Sequence, residues 1–164
     1  MDIVCMESLH FYKQYHSHPV NKTIHAFCIP MIVFSIFNLL TLIRFNFNIM
    51  NDRSMNKHLN HNLATIFVKL FYFGYYYTYF SPTIAMVMIT YFTFIKLLSM
   101  LFIYKNKNWF IDTVCIFTAS WVLQFLGHYI EGSRPALTNS FVQAFLDAPV
   151  FSLEPYLPLL LKYV

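Results

Sequence analysis

Four apolar segments, each close to the length of a bilayer's hydrocarbon core, limit what this chain can fold into. They cover residues 26–45, 63–80, 82–104 and 110–131. A helix needs about 20 apolar residues to cross about 30 Å of hydrocarbon. In lipid the backbone must satisfy its own hydrogen bonds, so segments of this kind predict helices. Hydrophobic residues make up 58% of the chain and charged residues 11%, where a soluble domain carries about 25% charged residues. The expected fold is therefore all-α: an integral membrane helical bundle of about four transmembrane helices. It forms a single membrane domain over residues 1–164, because the spans leave too little chain for a separate soluble one.

The polar stretches punctuate these spans. Residues 6–20 read as a short amphipathic helix stopped at Pro19, with Asn21 as a cap for the first span. Arg44 at the end of that span can snorkel to the interface. Residues 46–62 are Asn-rich and read as a loop, Ser81-Pro82 as a tight break, and residues 105–108 as a short turn before an interfacial Trp109. Gly132 and Pro135 stop the fourth span, and residues 138–164 are expected to lie as an amphipathic tail along the membrane surface. The polar first twenty residues and the long apolar run after them predict no cleavable leader.

Charge and cysteine content exclude several function classes. The formal charge of +4 is spread thinly, and no Lys/Arg run marks a nucleic-acid surface. Four basic residues on one side of a four-span arrangement face five on the other, so the positive-inside rule sets no orientation. Cys5, Cys28 and Cys115 are isolated in apolar surroundings and read as buried small side chains rather than a disulfide framework.

An even number of spans puts both termini in one compartment. The segment before the first span and the end of the fourth therefore meet, and these two places hold the chain's polar chemistry. The first block is Tyr15-His16-Ser17-His18-Pro19, followed by Asn21 and His25. The second runs from Trp121 to Pro135. At about 100° per residue, Trp121, Gln124, His128 and Glu131 share one narrow helical face. Ionisable groups inside a span are costly and commonly mark a functional interior. His128 and Glu131 are spaced i, i+3, so both can reach one metal ion. With His16 and His25 they give enough ligands for a mononuclear site of the two-histidine, one-carboxylate kind used by iron(II) oxygenases. His58 and His61 read as solvated residues of the Asn-rich loop, on the opposite face. The Tyr75–Tyr77 run reads as an aromatic belt, and Asp112 as an interfacial residue.

The two blocks resemble the small membrane family of 2-hydroxy fatty acid dioxygenases, which includes the fungal endoplasmic-reticulum enzyme of phytosphingosine breakdown. The similarity rests on Phe11-Tyr12-Lys13-Gln14-Tyr15-His16, Pro19, Asn21, Ile24-His25 and Ile29-Pro30 in the first block. In the second it rests on Trp121, Gln124-Phe125, Gly127-His128, Glu131 and Arg134-Pro135-Ala136-Leu137. A third block, Ala148-Pro149-Val150-Phe151 with Glu154 after it, extends the match, so order and spacing agree from about residue 8 to 156. Ser120 stands where the family has Gly, and His18 where it often has another polar residue. The His128–Pro135 stretch is one residue shorter than in the fungal form, so Glu154 stands beside Glu131 as a candidate catalytic carboxylate.

The resemblance implies an Fe(2+) enzyme of fatty acid alpha-oxidation. A long-chain 2-hydroxy fatty acid and O2 would give the acid one carbon shorter, CO2 and water. It implies His16, His25, His128 and Glu131 as metal ligands, Lys13, Asn21, Gln124 and Arg134 as substrate-binding residues, and residence in the endoplasmic-reticulum membrane among its lipids. Two other readings compete. A di-iron desaturase or hydroxylase would use several histidine boxes, and only His58/His61 resembles one. A non-enzymatic structural or transport bundle would use His128–Glu131 as a packing or proton element. Metal content separates the three: one iron, two, or none.

Overall fold

The computed structural model describes residues 16–43, 53–132 and 141–153. These form five helices and no strand: α1 (Pro19–Leu40), α2 (Arg53–Tyr79), α3 (Pro82–Lys105), α4 (Trp109–Glu131) and α5 (Phe141–Phe151). Among the described residues α1, α3 and α4 are long and apolar enough to cross a membrane. Large apolar side chains such as Phe27, Met31, Phe94, Leu101, Ile111 and Phe125 point outward, while Asn38, Ser99, Thr113 and Ser120 are buried. A soluble monomer rarely exposes apolar patches beyond a few hundred Å². Apolar outside and polar inside is the pattern of a helical membrane bundle.

Local chemistry sets the helix starts. α1 begins at Pro19, with His18 extended before it and its Nδ1 accepting from Val20 N at 3.2 Å. Pro suits the first helical position because its missing N–H would be unpaired there anyway. Asn21 is therefore not the cap: it lies in the first turn of the span, fully buried. Ser81 and Pro82 repeat the device, with Ser81 Oγ accepting from Ile84 N at 3.2 Å. Gly132 ends α4 at a φ of 72°, a left-handed conformation that favours glycine. The expected loop over 46–62 is shorter than read, since α2 starts at Arg53 and carries His58 and His61 on helix. Met, Lys, Leu and Arg among the asparagines are good helix formers, and that preference prevails there.

α1 and α4 pack antiparallel. Asn38 Nδ2 donates to Thr113 Oγ1 at 3.0 Å at one end, and Asn21 reaches Glu131 at the other. The close approach depends on Gly127, where a Cβ would overlap Asn21 Oδ1. α2 and α3 form a hairpin about Phe80–Ser81, with Lys69 Nζ donating to Thr93 Oγ1 at 3.4 Å and the rings of Tyr72 and Phe92 at 5.1 Å. Asp112 accepts from Asn106 Nδ2 at 2.6 Å across the α3–α4 turn.

The tyrosines of α2 do more than line an interface. Pro149 lies inside α5 and has no N–H for the carbonyl of Phe145. Tyr72 Oη donates to that carbonyl at 3.2 Å, Tyr76 Oη to the carbonyl of Leu146 at 2.7 Å, and Tyr75 Oη to Asp147 Oδ1 at 2.7 Å. Three hydroxyls of one helix thus hold the turn of another that precedes its proline. Val150 and Phe151 are buried behind them, so this part of the 138–164 tail is docked in the bundle. Of the Tyr75–Tyr77 run, Tyr77 is the one that points outward.

Candidate metal centre

Three buried histidines meet where the start of α1 and the end of α4 come together. His16 lies just before α1, His25 in its second turn, and His128 one turn from the end of α4. Each is about 5% exposed or less. Their ring centroids are 4.4 Å (His16–His25), 5.0 Å (His16–His128) and 4.9 Å (His25–His128) apart, all edge to face. One candidate ligand atom from each lies within 4.8 Å of the other two. Imidazole–metal bonds of about 2.0–2.2 Å hold neighbouring nitrogens about 3–3.5 Å apart, so a small closure of the rings would enclose an ion. The donor set fits a divalent transition metal: neutral imidazoles bind such ions well, and three leave positions open for oxygen ligands.

Asn21 organises the cluster. Its backbone carbonyl accepts from His25 Nδ1 at 3.0 Å. That fixes the proton on Nδ1 and leaves the Nε2 lone pair free to bind an ion, the arrangement in which metal-binding histidines are commonly held. Its side-chain Nδ2 lies 3.5 Å from His128 Nδ1 and donates to Glu131 Oε2.

Glu131 lies outside the three-histidine group and has a different set of partners. Its Oε1 accepts from the Ser17 backbone N, from Ser17 Oγ at 2.7 Å and from His18 N at 2.9 Å. The carboxylate thus ties the extended His16–His18 segment to the end of α4. Ser17 supplies two of these donors. In the sequence it carries no signal of this beyond its place between two histidines before a proline.

Gln124 lies one turn inward from His128 on the same face, 7% exposed, and its Nε2 has no hydrogen-bond partner among the described residues. It also lines an apolar cavity of about 620 Å³ between α1, α2, α4 and α5, with Phe92 of α3 at its wall. His18 caps α1 and takes no part in the cluster. Lys13, Arg134 and Glu154, expected at the site, lie outside the described residues, as does His10.

A family described as 2-hydroxy-palmitic acid dioxygenase Mpo1-like matches residues 4–157. The chain belongs to this family. Among curated Mpo1-like proteins, the 2-hydroxy-palmitic acid dioxygenase MPO1 of Saccharomyces cerevisiae is 31% identical over 151 residues, covering 91% of this chain and 77% of the yeast protein. No solved structure matches. Membership makes the chain a dioxygenase relative. Of the blocks quoted for the resemblance, the first and second contain the three histidines, and Ala148–Phe151 of the third lies in α5, directly after the residues that the tyrosines hold.

Proposed function

We propose that this protein is an iron(II)-dependent dioxygenase of fatty acid alpha-oxidation in the endoplasmic-reticulum membrane. A 2-hydroxy fatty acid and O2 give the fatty acid one carbon shorter, CO2 and water. The balance needs no added reductant, because the substrate supplies all four electrons. The observation that carries this reading is the buried convergence of His16, His25 and His128 beside an apolar cavity in a chain of this family. The name of the yeast relative supports the substrate class.

His16, His25 and His128 would hold the iron, which when bound supplies the redox chemistry that O2 requires. The protein's own groups set the stage. Asn21 orients His25 through its carbonyl, and Glu131 holds the segment that carries His16. Glu131 acts here as a positioning residue, and Glu154 remains the alternative carboxylate. Gln124 Nε2, a buried donor without a partner among the described residues and one turn inward from His128, would donate to the 2-hydroxy carboxylate. Arg134 and Lys13 would take the carboxylate from the aqueous side, Arg with two parallel hydrogen bonds. The apolar surroundings keep water from the reacting carbon. The test is anaerobic purification, metal analysis, and O2 uptake with 2-hydroxypalmitate. One iron per chain, with one pentadecanoate and one CO2 formed per O2 consumed, is expected. A metal-free protein that consumes no O2 would leave the non-enzymatic reading standing.

A further inference from the structure

The apolar cavity begins where the metal centre stops. Ile29, one turn beyond His25 on α1, and Gln124, one turn before His128 on α4, are its lining residues nearest the histidines. From there it follows α1 through Ile32, Val33 and Ile36 to Leu40. At about 1.5 Å per residue this is about 16 Å of depth, close to the roughly 15 Å that one leaflet's acyl chains fill in a bilayer core of about 30 Å. Its volume of about 620 Å³ is that of a small-molecule site. Gln124 is the one lining residue with an amide or charged side chain, and it stands at the end nearest the histidines. α5 contributes Phe145, Ala148 and Pro149 to the wall.

We infer that this cavity is the acyl-chain site of the enzyme and that its depth along α1 measures chain length, with Ile36 and Leu40 as specificity-determining residues. The occupant is the single saturated chain of the 2-hydroxy acid, its polar head at the histidines and its methyl end toward Leu40. The inference rests on the proposed reaction for the identity of the head group. The cavity itself is a feature of the bundle and can be tested separately.

Two measurements on the full chain, reconstituted in phosphatidylcholine nanodiscs, test it. The first is kcat/KM across 2-hydroxy acids from 2-hydroxyoctanoate to 2-hydroxyarachidate. Ile36→Trp fills the cavity beyond its first turns and should cost long substrates about fourfold for each methylene turned out, so that kcat/KM falls far more for 2-hydroxypalmitate than for 2-hydroxyoctanoate. Leu40→Ala should move the optimum toward longer chains. The second readout is independent of turnover. With Trp109→Phe as background, Trp121, which lines the cavity, should be quenched by 2-hydroxypalmitate brominated in mid-chain, saturably and reversibly by the unbrominated acid. Unchanged length profiles in both variants, with wild-type turnover intact, would overturn the inference and leave the reaction standing. Quenching by brominated phosphatidylcholine that 2-hydroxypalmitate cannot displace would also overturn it, assigning the cavity to bulk lipid. Saturable quenching by the hydroxy acid in a protein without turnover would support the acyl site and remove the reaction instead.

Discussion

His128 contributes a buried imidazole to a cluster of three and packs against the other two rings. If it is a ligand, His128→Ala removes one nitrogen from a site with few. Iron per folded molecule and O2 uptake should then both fall by orders of magnitude, while the helices still form, since one side-chain hydrogen bond contributes about 1 kcal/mol. Gln124→Ala, on the same face, should retain iron and raise KM for the hydroxy acid. A full iron complement in well-folded His128→Ala would withdraw it from the ligand set. Gly127 behaves differently. Even one methyl there collides with Asn21 Oδ1, and Asn21 is the residue that touches Glu131 and orients His25. Gly127→Ala should separate α1 from α4 and cost about 1–3 kcal/mol, as overpacking does, with iron affinity falling alongside stability. Thermal unfolding in detergent with parallel iron analysis reads both. Equal stability and unchanged iron would show that the helices adjust without loss.

At the scale of elements, α5 is held through its own defect. Pro149 removes one helical hydrogen bond, and Tyr72 donates to the carbonyl left over. Tyr76 is fully buried and donates to the next carbonyl. Removing the Tyr72 hydroxyl leaves the carbonyl freed by Pro149 without its donor, and removing the Tyr76 hydroxyl takes one buried hydrogen bond from α5, at about 1 kcal/mol. Tyr76→Phe should therefore loosen α5 more than it disturbs the α2–α3 hairpin. Amide hydrogen exchange should rise across residues 141–153 and stay low across α3. Exchange that rises equally throughout would mean that α5 and the hairpin are one cooperative unit. Because α5 walls the cavity, the same variant should weaken hydroxy acid binding more than iron binding.

For the whole molecule, composition and connectivity give different counts of crossings. Three described helices meet the length and hydropathy of a span. α2 is not among them, since Lys69 and its tyrosines make it too polar. Yet the end of α1 contacts the start of α4 through Asn38 and Thr113, so both lie at one face. α3 ends three residues before α4 begins, at that same face. If α3 crosses, its start lies at the opposite face, and α2 is the helix that carries the chain there. We therefore propose four crossings. Single cysteines placed at residues 50 and 107 of a cysteine-free chain should react from the same side of sealed vesicles, and one at residue 17 from the other. Reaction of the first two from opposite sides would remove α2 from the membrane. The same geometry puts His58 and His61 near the start of α2, remote from the Phe80–Ser81 turn and from the metal centre. Changing both to Ala should leave iron content and turnover near wild type, and a loss of iron there would point to the wrong cluster.

The membrane class, the helical content and the pairing of His16, His25 and His128 follow from the sequence alone, because each rests on a local or periodic signal. Apolar segments of bilayer length must be helical, and a polar stripe on one face of an apolar helix must turn inward. The breaks at Ser81-Pro82 and Gly132 were legible for the same reason: each acts on its own neighbours. What needed the tertiary structure depends on contacts between residues far apart in the chain. Glu131 reads as a metal ligand from its spacing to His128, and only the approach of the His16–His18 segment gives its oxygens their N–H partners. Asn21 reads as a cap until α1 is seen to begin before it, which turns its side chain toward α4. The tyrosines of α2 read as a belt because nothing local shows that Pro149 has left a carbonyl for one of them to satisfy. The cavity has no sequence signature, because its lining comes from single turns of separate helices that only packing brings together.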